Sequence, residues 1–145
     1  NAPDGSAYAD PVEIARRVLA AAESTGIGLT LLPAVYRTAD FGGVPATQGQ
    51  RRFVATVDDL LNDISTLRTD AAGEPGLRVG MALHSLRAVP PEELQRAVDG
   101  LLAQDPVAPL HIHIAEQLRE VEACLAATGA RPVEWLLANA AIALS

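Results

Sequence analysis

Leu110-His111-Ile112-His113-Ile114-Ala115-Glu116 alternates apolar and polar side chains, which is the period of a β-strand. His111, His113 and Ala115 then share one face, and Leu110, Ile112 and Ile114 take the other. Pro106 to Pro109 leads into this strand, and a helical run from Gln117 to Thr128 leaves it and stops at Gly129. The same succession stands twice upstream. A strand from Arg78 to Leu83 precedes a helix that opens at Pro91-Glu92-Glu93 and ends near Ala103. Before it, an all-apolar run from Ile27 to Leu32, read as a strand buried on both faces and closed by Pro33, precedes a helix capped by Thr56. That helix runs through Leu60, Leu61, Ile64 and Leu67, and Gly73-Glu74-Pro75-Gly76 ends it. An opening helix has Asp10 as N-cap, Pro11 at its first position, apolar Ile14, Val18, Leu19 and Ala22, and Gly26 as its stop. A last helix starts at Pro132.

This alternation of helix and strand gives a parallel sheet covered by helices, either doubly wound or closed into an eightfold barrel. Strands starting near 28, 78 and 109 are too few to close a barrel, which takes about 250 residues. The chain is therefore a small open sheet or a slice of a barrel. Its 145 residues suit one domain or part of one. It begins with Asn1 and stops within the apolar stretch Asn139 to Ser145, so both ends read as cut.

A net charge of -7 removes the electrostatic basis of nucleic-acid binding. All 11 positive residues are Arg, which excludes lysine Schiff-base chemistry and a P-loop lysine within this chain. The single cysteine, Cys124, is expected at a helix packing position and can form no internal disulfide, as is usual for a reducing, cytoplasmic setting. No run of apolar residues is long enough to span a membrane.

In a barrel, His111 and His113 point into the interior and Glu116 sits at the C-terminal mouth, where such folds do their chemistry. Imidazole is the commonest transition-metal ligand, and a carboxylate three residues on is placed to move protons for a metal-bound water. A pair of hydrogen-bonded interior histidines with a solvated Glu116 fits the pattern equally. His84-Ser85-Leu86-Arg87 follows the middle strand, and its His and Arg suit an anionic substrate group. An Arg in a surface loop is, by itself, more often simply solvated. The stretch from Tyr36 to Gln50, with Phe41-Gly42-Gly43 at its centre, reads as a long ordered loop. Together with Gly49-Gln50-Arg51-Arg52-Phe53 it lacks nucleotide-binding spacing and reads as scaffold.

These residues resemble an internal portion of the formimidoylglutamate deiminases, a family of the metal-dependent amidohydrolase superfamily. The stretches that carry the resemblance are Tyr8-Ala9-Asp10-Pro11, Gly26 to Pro33, Phe41-Gly42-Gly43, Gly49 to Phe53, His84-Ser85-Leu86-Arg87-Ala88-Val89, His111 to Gln117 and Gly129 to Leu136. His113-x-x-Glu116 identifies only the superfamily, whereas His-Ser-Leu-Arg-Ala-Val is much narrower. The resemblance implies an α/β fold, part of a (β/α)8 TIM barrel of the amidohydrolase type, with residues 1–145 an internal part of one hydrolase domain. It implies hydrolysis of N-formimidoyl-L-glutamate to N-formyl-L-glutamate and ammonia, a step of histidine degradation, with zinc as the metal.

In that scheme His113 is a metal ligand, Glu116 the catalytic acid/base, and His84 with Arg87 hold the glutamate part of the substrate. His111 receives no role. The partner is a small molecule with carboxylates, and the full-length enzyme is expected to be a cytoplasmic homo-oligomer. The family's other metal ligands have no counterpart in this chain. A catalytic zinc takes about three protein ligands, so the chain alone is expected to be inactive. Two other readings stand beside this one: a related deaminase of another, purine-like substrate, for which Arg87 would be unnecessary, and a non-catalytic half-barrel binding module.

Overall fold

Three parallel strand lines frame the computed structural model, which describes residues 1–140. β1 (Leu29–Leu31) and β2 (Ala34–Val35) run beside β5 (Leu77–Val79) and β6 (Met81–Leu83), and β7 (Leu110–Ile112) lies on the other side of β6. Leu31 stands opposite Val79 and Ala34 opposite Ala82, so β1 and β2 are one strand in a single register. The ladder crosses the gap: Gly80 N donates to the Leu31 carbonyl at 2.9 Å and Ala82 N to the Pro33 carbonyl at 2.9 Å. Only the N–H that Pro33 lacks is missing. The fold is α/β with parallel strands and flanking helices, as the sequence alternation requires, and among the described residues no barrel closes.

One sheet face carries Leu29, Leu31, Val79, Met81, Leu83, Leu110 and Ile112, and these join the core formed with the helices. α1 (Glu13–Thr25), α2 (Val57–Asp70) and α3 (Pro91–Gln104) contribute Leu19, Leu60, Ile64, Leu67, Leu94, Val98 and Leu101. α4 (Leu118–Thr128) and α5 (Pro132–Asn139) pack on one another, and α4 adds the buried Cys124. Thr56 accepts the Asp59 N–H at 3.0 Å as the cap of α2, and left-handed Gly26 and Gly129 end α1 and α4. No helix among the described residues is long and apolar enough to cross a membrane.

Five expectations need correction. The run from Ile27 to Leu32 is not buried on both faces: Thr30 is exposed, and Ile27 keeps 65% of its surface, because no second layer among the described residues covers that side. Asp10 does not cap α1, which begins at Glu13. It accepts the Val12 N–H at 3.0 Å and pairs with Arg16 at 2.6 Å, closing a turn that contains Pro11. Ile14 and Val18 lie on the exposed side of α1. The segment from Tyr36 to Gln50 is more than a loop: β3 (Thr38–Asp40) pairs antiparallel with β4 (Val44–Pro45) around left-handed Gly42 and Gly43, and a 3-10 helix (Gln48–Phe53) follows. The third strand ends at Ile112 rather than Ala115, whose φ of 57° breaks the extended backbone. The apolar stretch at the chain end lies, from residue 141 on, outside the described residues.

Candidate functional site

The shared register brings the C-terminal ends of the three strand lines to one edge, and the polar residues follow directly. His84 comes straight after β6, its N–H donating to the Val35 carbonyl at 3.1 Å. Its Nδ1 lies 3.2 Å from Ser85 Oγ, and its ring meets Tyr36 edge-on with centroids 4.8 Å apart. Burial pushes its pKa down, and the neighbouring His113 and Arg87 add to that, against smaller opposing effects of Glu116 and Glu120. The shift favours the neutral imidazole, which offers ring hydrogen bonds.

His113 lies one residue past the end of β7. Its Nδ1 is 3.1 Å from the His84 carbonyl, and the two rings are 5.7 Å apart. A carbonyl only accepts, so Nδ1 carries the proton, and in the neutral ring Nε2 is left with a free lone pair. This is the arrangement in which imidazoles bind metals, the second nitrogen being fixed by a backbone carbonyl. His111, on the same exposed face, has no such partner among the described residues.

Beyond His113 the chain turns sharply at Ala115 and presents Glu116 just before α4. The Glu116 N–H donates to Glu120 Oε2 at 3.0 Å. Arg87 approaches from the neighbouring loop, which is tied down by Thr38 Oγ1 donating to the Arg87 carbonyl at 2.8 Å and by Arg37 N donating to the Ala88 carbonyl at 2.8 Å. Arg87 and Glu116 line one cavity of about 180 Å³ with Asp40, Gln117, Arg119 and Glu120. Arg87 has no ion-pair partner among the described residues, and its Nε is buried without a hydrogen bond. A half-buried guanidinium in that state has hydrogen-bonding capacity to spare for an anion.

No three His, Cys, Asp or Glu side chains converge into a metal-holding group among the described residues. A catalytic zinc takes about three protein ligands, so these residues by themselves do not fit one.

The chain is 46% identical to the formimidoylglutamate deiminase of Pseudomonas aeruginosa over 141 residues, which are 96% of this chain and 30% of that protein. It is similar to a segment of that deiminase. The resemblance carried by the sequence motifs is thereby borne out, and the chain spans under a third of the relative's length. A crystal structure of an amidohydrolase from Brucella melitensis matches with a TM-score of 0.84 at 47% identity, covering 94% of this chain and 30% of that one. Over 73 residues, 50% of this chain and 16% of the relative, it is 38% identical to the 5-methylthioadenosine/S-adenosylhomocysteine deaminase of Desulfovibrio desulfuricans. An adenosine deaminase from Xanthomonas campestris solved with bound zinc shares the fold, with a TM-score of 0.58 at 20% identity over 82% of this chain and 24% of that one. No family model matches the chain.

Set beside the deiminase segment, the structure brings His84 and His113 into contact and places Arg87 and Glu116 on one cavity. The Phe41-Gly42-Gly43 turn, read from sequence as scaffold, lines a second cavity of about 210 Å³ that also reaches Arg87. Sequence reasoning missed Tyr36, Asp40 and Glu120. The available signal for Glu120 was its position four residues after Glu116, one helical turn away.

Proposed function

We propose that residues 1–145 are an internal part of a single hydrolase barrel domain. In this reading the complete enzyme hydrolyses N-formimidoyl-L-glutamate to N-formyl-L-glutamate and ammonia in histidine degradation. The observation that carries it is the unpaired Arg87 guanidinium sharing a cavity with Glu116 at the strand ends. Arg87 holds a substrate carboxylate, and neutral His84 adds a ring hydrogen bond. Water adds to the formimidoyl carbon as Glu116 moves one of its protons to the imine nitrogen; Glu116 then carries the hydroxyl proton of the adduct to that nitrogen, the C–N bond breaks, ammonia leaves and the formyl C=O forms. His113 offers Nε2 to a zinc ion whose other ligands lie outside these residues. The chain alone, lacking a ligand set, is inactive. The enzyme is cytoplasmic and homo-oligomeric in this reading, with a small carboxylate-bearing substrate as its partner.

A purine substrate without a carboxylate, such as the methylthioadenosine in the name of the Desulfovibrio relative, has no use for a carboxylate-binding Arg87. Arg87→Lys in the full-length enzyme separates the two. It keeps the charge and loses the planar fork, so KM for formimidoylglutamate should rise about 10-fold or more, the cost of a charge-assisted hydrogen bond. Unchanged kinetics would refute the assignment.

A further inference from the structure

Glu120 is the one charged side chain among the described residues that is buried, with 6% of its surface exposed. It stands in the first turn of α4, where a Glu often reaches back to a backbone N–H as half of a capping box. Such a Glu normally remains in solvent. Here Oε2 accepts from Glu116 N, and Oε1 is buried with no partner. Arg87 Nε is buried and unpartnered as well, and both residues line the cavity of about 180 Å³.

Unpaired buried atoms are costly, and two of opposite charge in the wall of one cavity attract. The Glu116 N–H that Oε2 holds comes directly after Ala115, whose φ of 57° is unfavourable for a residue with a Cβ. A strained turn persists when the surroundings over-determine it, and the Glu120 carboxylate is the side chain that bonds the backbone next to Ala115.

We propose that Glu120 is a positioning residue joining the two halves of the site. Oε2 fixes the turn that presents Glu116, and the charge at Oε1 orients the Arg87 guanidinium toward the substrate carboxylate. This inference rests on the roles given to Arg87 and Glu116 above.

The test uses Glu120→Gln and Glu120→Ala in the full-length enzyme, with amide hydrogen exchange at Glu116 and kinetics on formimidoylglutamate. Gln keeps an acceptor for Glu116 N and loses the charge facing Arg87. It should leave Glu116 exchange and kcat near wild type while raising KM about 10-fold. Ala loses both, so Glu116 exchange should quicken about 10-fold or more and kcat should fall along with the rise in KM. Lower melting temperatures with unchanged kcat and KM would reduce Glu120 to a helix cap and overturn the proposal. So would an unchanged KM in the Gln variant or unchanged Glu116 exchange in the Ala variant. If the wild-type enzyme leaves formimidoylglutamate untouched, the functional reading fails by itself, and the exchange of Glu116 still decides whether Glu120 holds the turn. An Ala variant that does not fold leaves the isosteric Gln variant to decide through KM.

Discussion

Gly80→Ala should destabilise the protein more than any other single-methyl addition at a glycine in the sheet. Gly80 lies in the gap between β5 and β6, where the middle strand is flanked by both neighbours. A Cβ there would fall inside the van der Waals shell of the Pro109 carbonyl oxygen, 2.9 Å from its carbon and 3.0 Å from Leu32 Cδ2. The first two atoms are backbone and cannot rotate away. Reaching ordinary carbon contact moves the entry to β7 by roughly 1 Å. That breaks the bond from Met81 N to the Pro109 carbonyl, now 2.9 Å, at a net cost of about 1 kcal/mol. Overpacking strain adds about 1–3 kcal/mol. The sum, about 2–4 kcal/mol, is a large part of the roughly 5–15 kcal/mol available to a domain.

The control is Gly100→Ala inside α3, where the atoms nearest the new methyl all belong to the Leu61 side chain. Leu61 can change rotamer, and Ala gains about 1 kcal/mol of helix propensity over Gly, so this variant should be neutral or stabilised. Urea unfolding followed by circular dichroism reads both. With a slope of about 1–3 kcal/mol/M, the Gly80 variant should lose roughly 1–2 M in midpoint. An unchanged midpoint, or an equal shift in the two variants, would refute the view that close backbone approach at Gly80 sets the spacing of β6 and β7.

His113→Ala should abolish bound zinc in the full-length enzyme and His111→Ala should retain it, as measured by metal analysis. Equal retention, or loss confined to the His111 variant, would overturn the assignment. Ala115→Gly relieves a left-handed alanine, so it should cost less than the ~1 kcal/mol expected of Ala→Gly in ordinary backbone, read as a urea midpoint close to wild type. The Asp105 carboxyl is held below its usual range first by the Val107 N–H and then by Arg68 at 2.5 Å. A lowered folded pKa gives stability that is full above the unfolded value near 4 and is lost as pH falls through the folded value. Asp105→Asn should therefore flatten the acid limb of a stability–pH profile below about pH 4 and change nothing in its slope at pH 7. Residues 1–145 alone, supplied with zinc and formimidoylglutamate, should release no ammonia, and release would refute the need for ligands outside the chain.

The fold was legible where local chemistry and packing agree. Thr56 and the Gly26 and Gly129 stops mark helix ends through their own backbone and side-chain bonds, and the structure keeps them. Three features were illegible because the local pattern does not settle them. Thr30 and Ile27 lie in an apolar run, yet they are exposed because nothing among the described residues covers that sheet face. Asp10 has the chemistry of a helix cap, but Arg16 and the Val12 N–H draw it into a separate turn. The hairpin from Thr38 to Pro45 has no alternating apolar pattern to announce it, and Thr38 is held by the Arg87 and Ala88 carbonyls of the loop after β6.

For the candidate site the division is sharper. His84 and Arg87 are three residues apart, as are His113 and Glu116, so each pair is visible as a motif in one stretch of chain. That the two pairs meet depends on register: Leu83 stands opposite Ile112, which sets His84 and His113 side by side one residue later. A slip of one residue would turn the alternation of β7 over and direct Leu110, Ile112 and Ile114 to the exposed face. The apolar face packed on the helices therefore fixes which face the histidines take. Glu120 shows the opposite case. Nothing in Gln117-Leu118-Arg119-Glu120 separates a buried carboxylate from a solvated one, because its burial comes from what α4 packs against and its hydrogen bond from a left-handed turn at a residue that rarely adopts one. Sequence exposes the groups that would do the chemistry, whereas the group that aligns them is found through an unpaired oxygen beside an unpaired guanidinium.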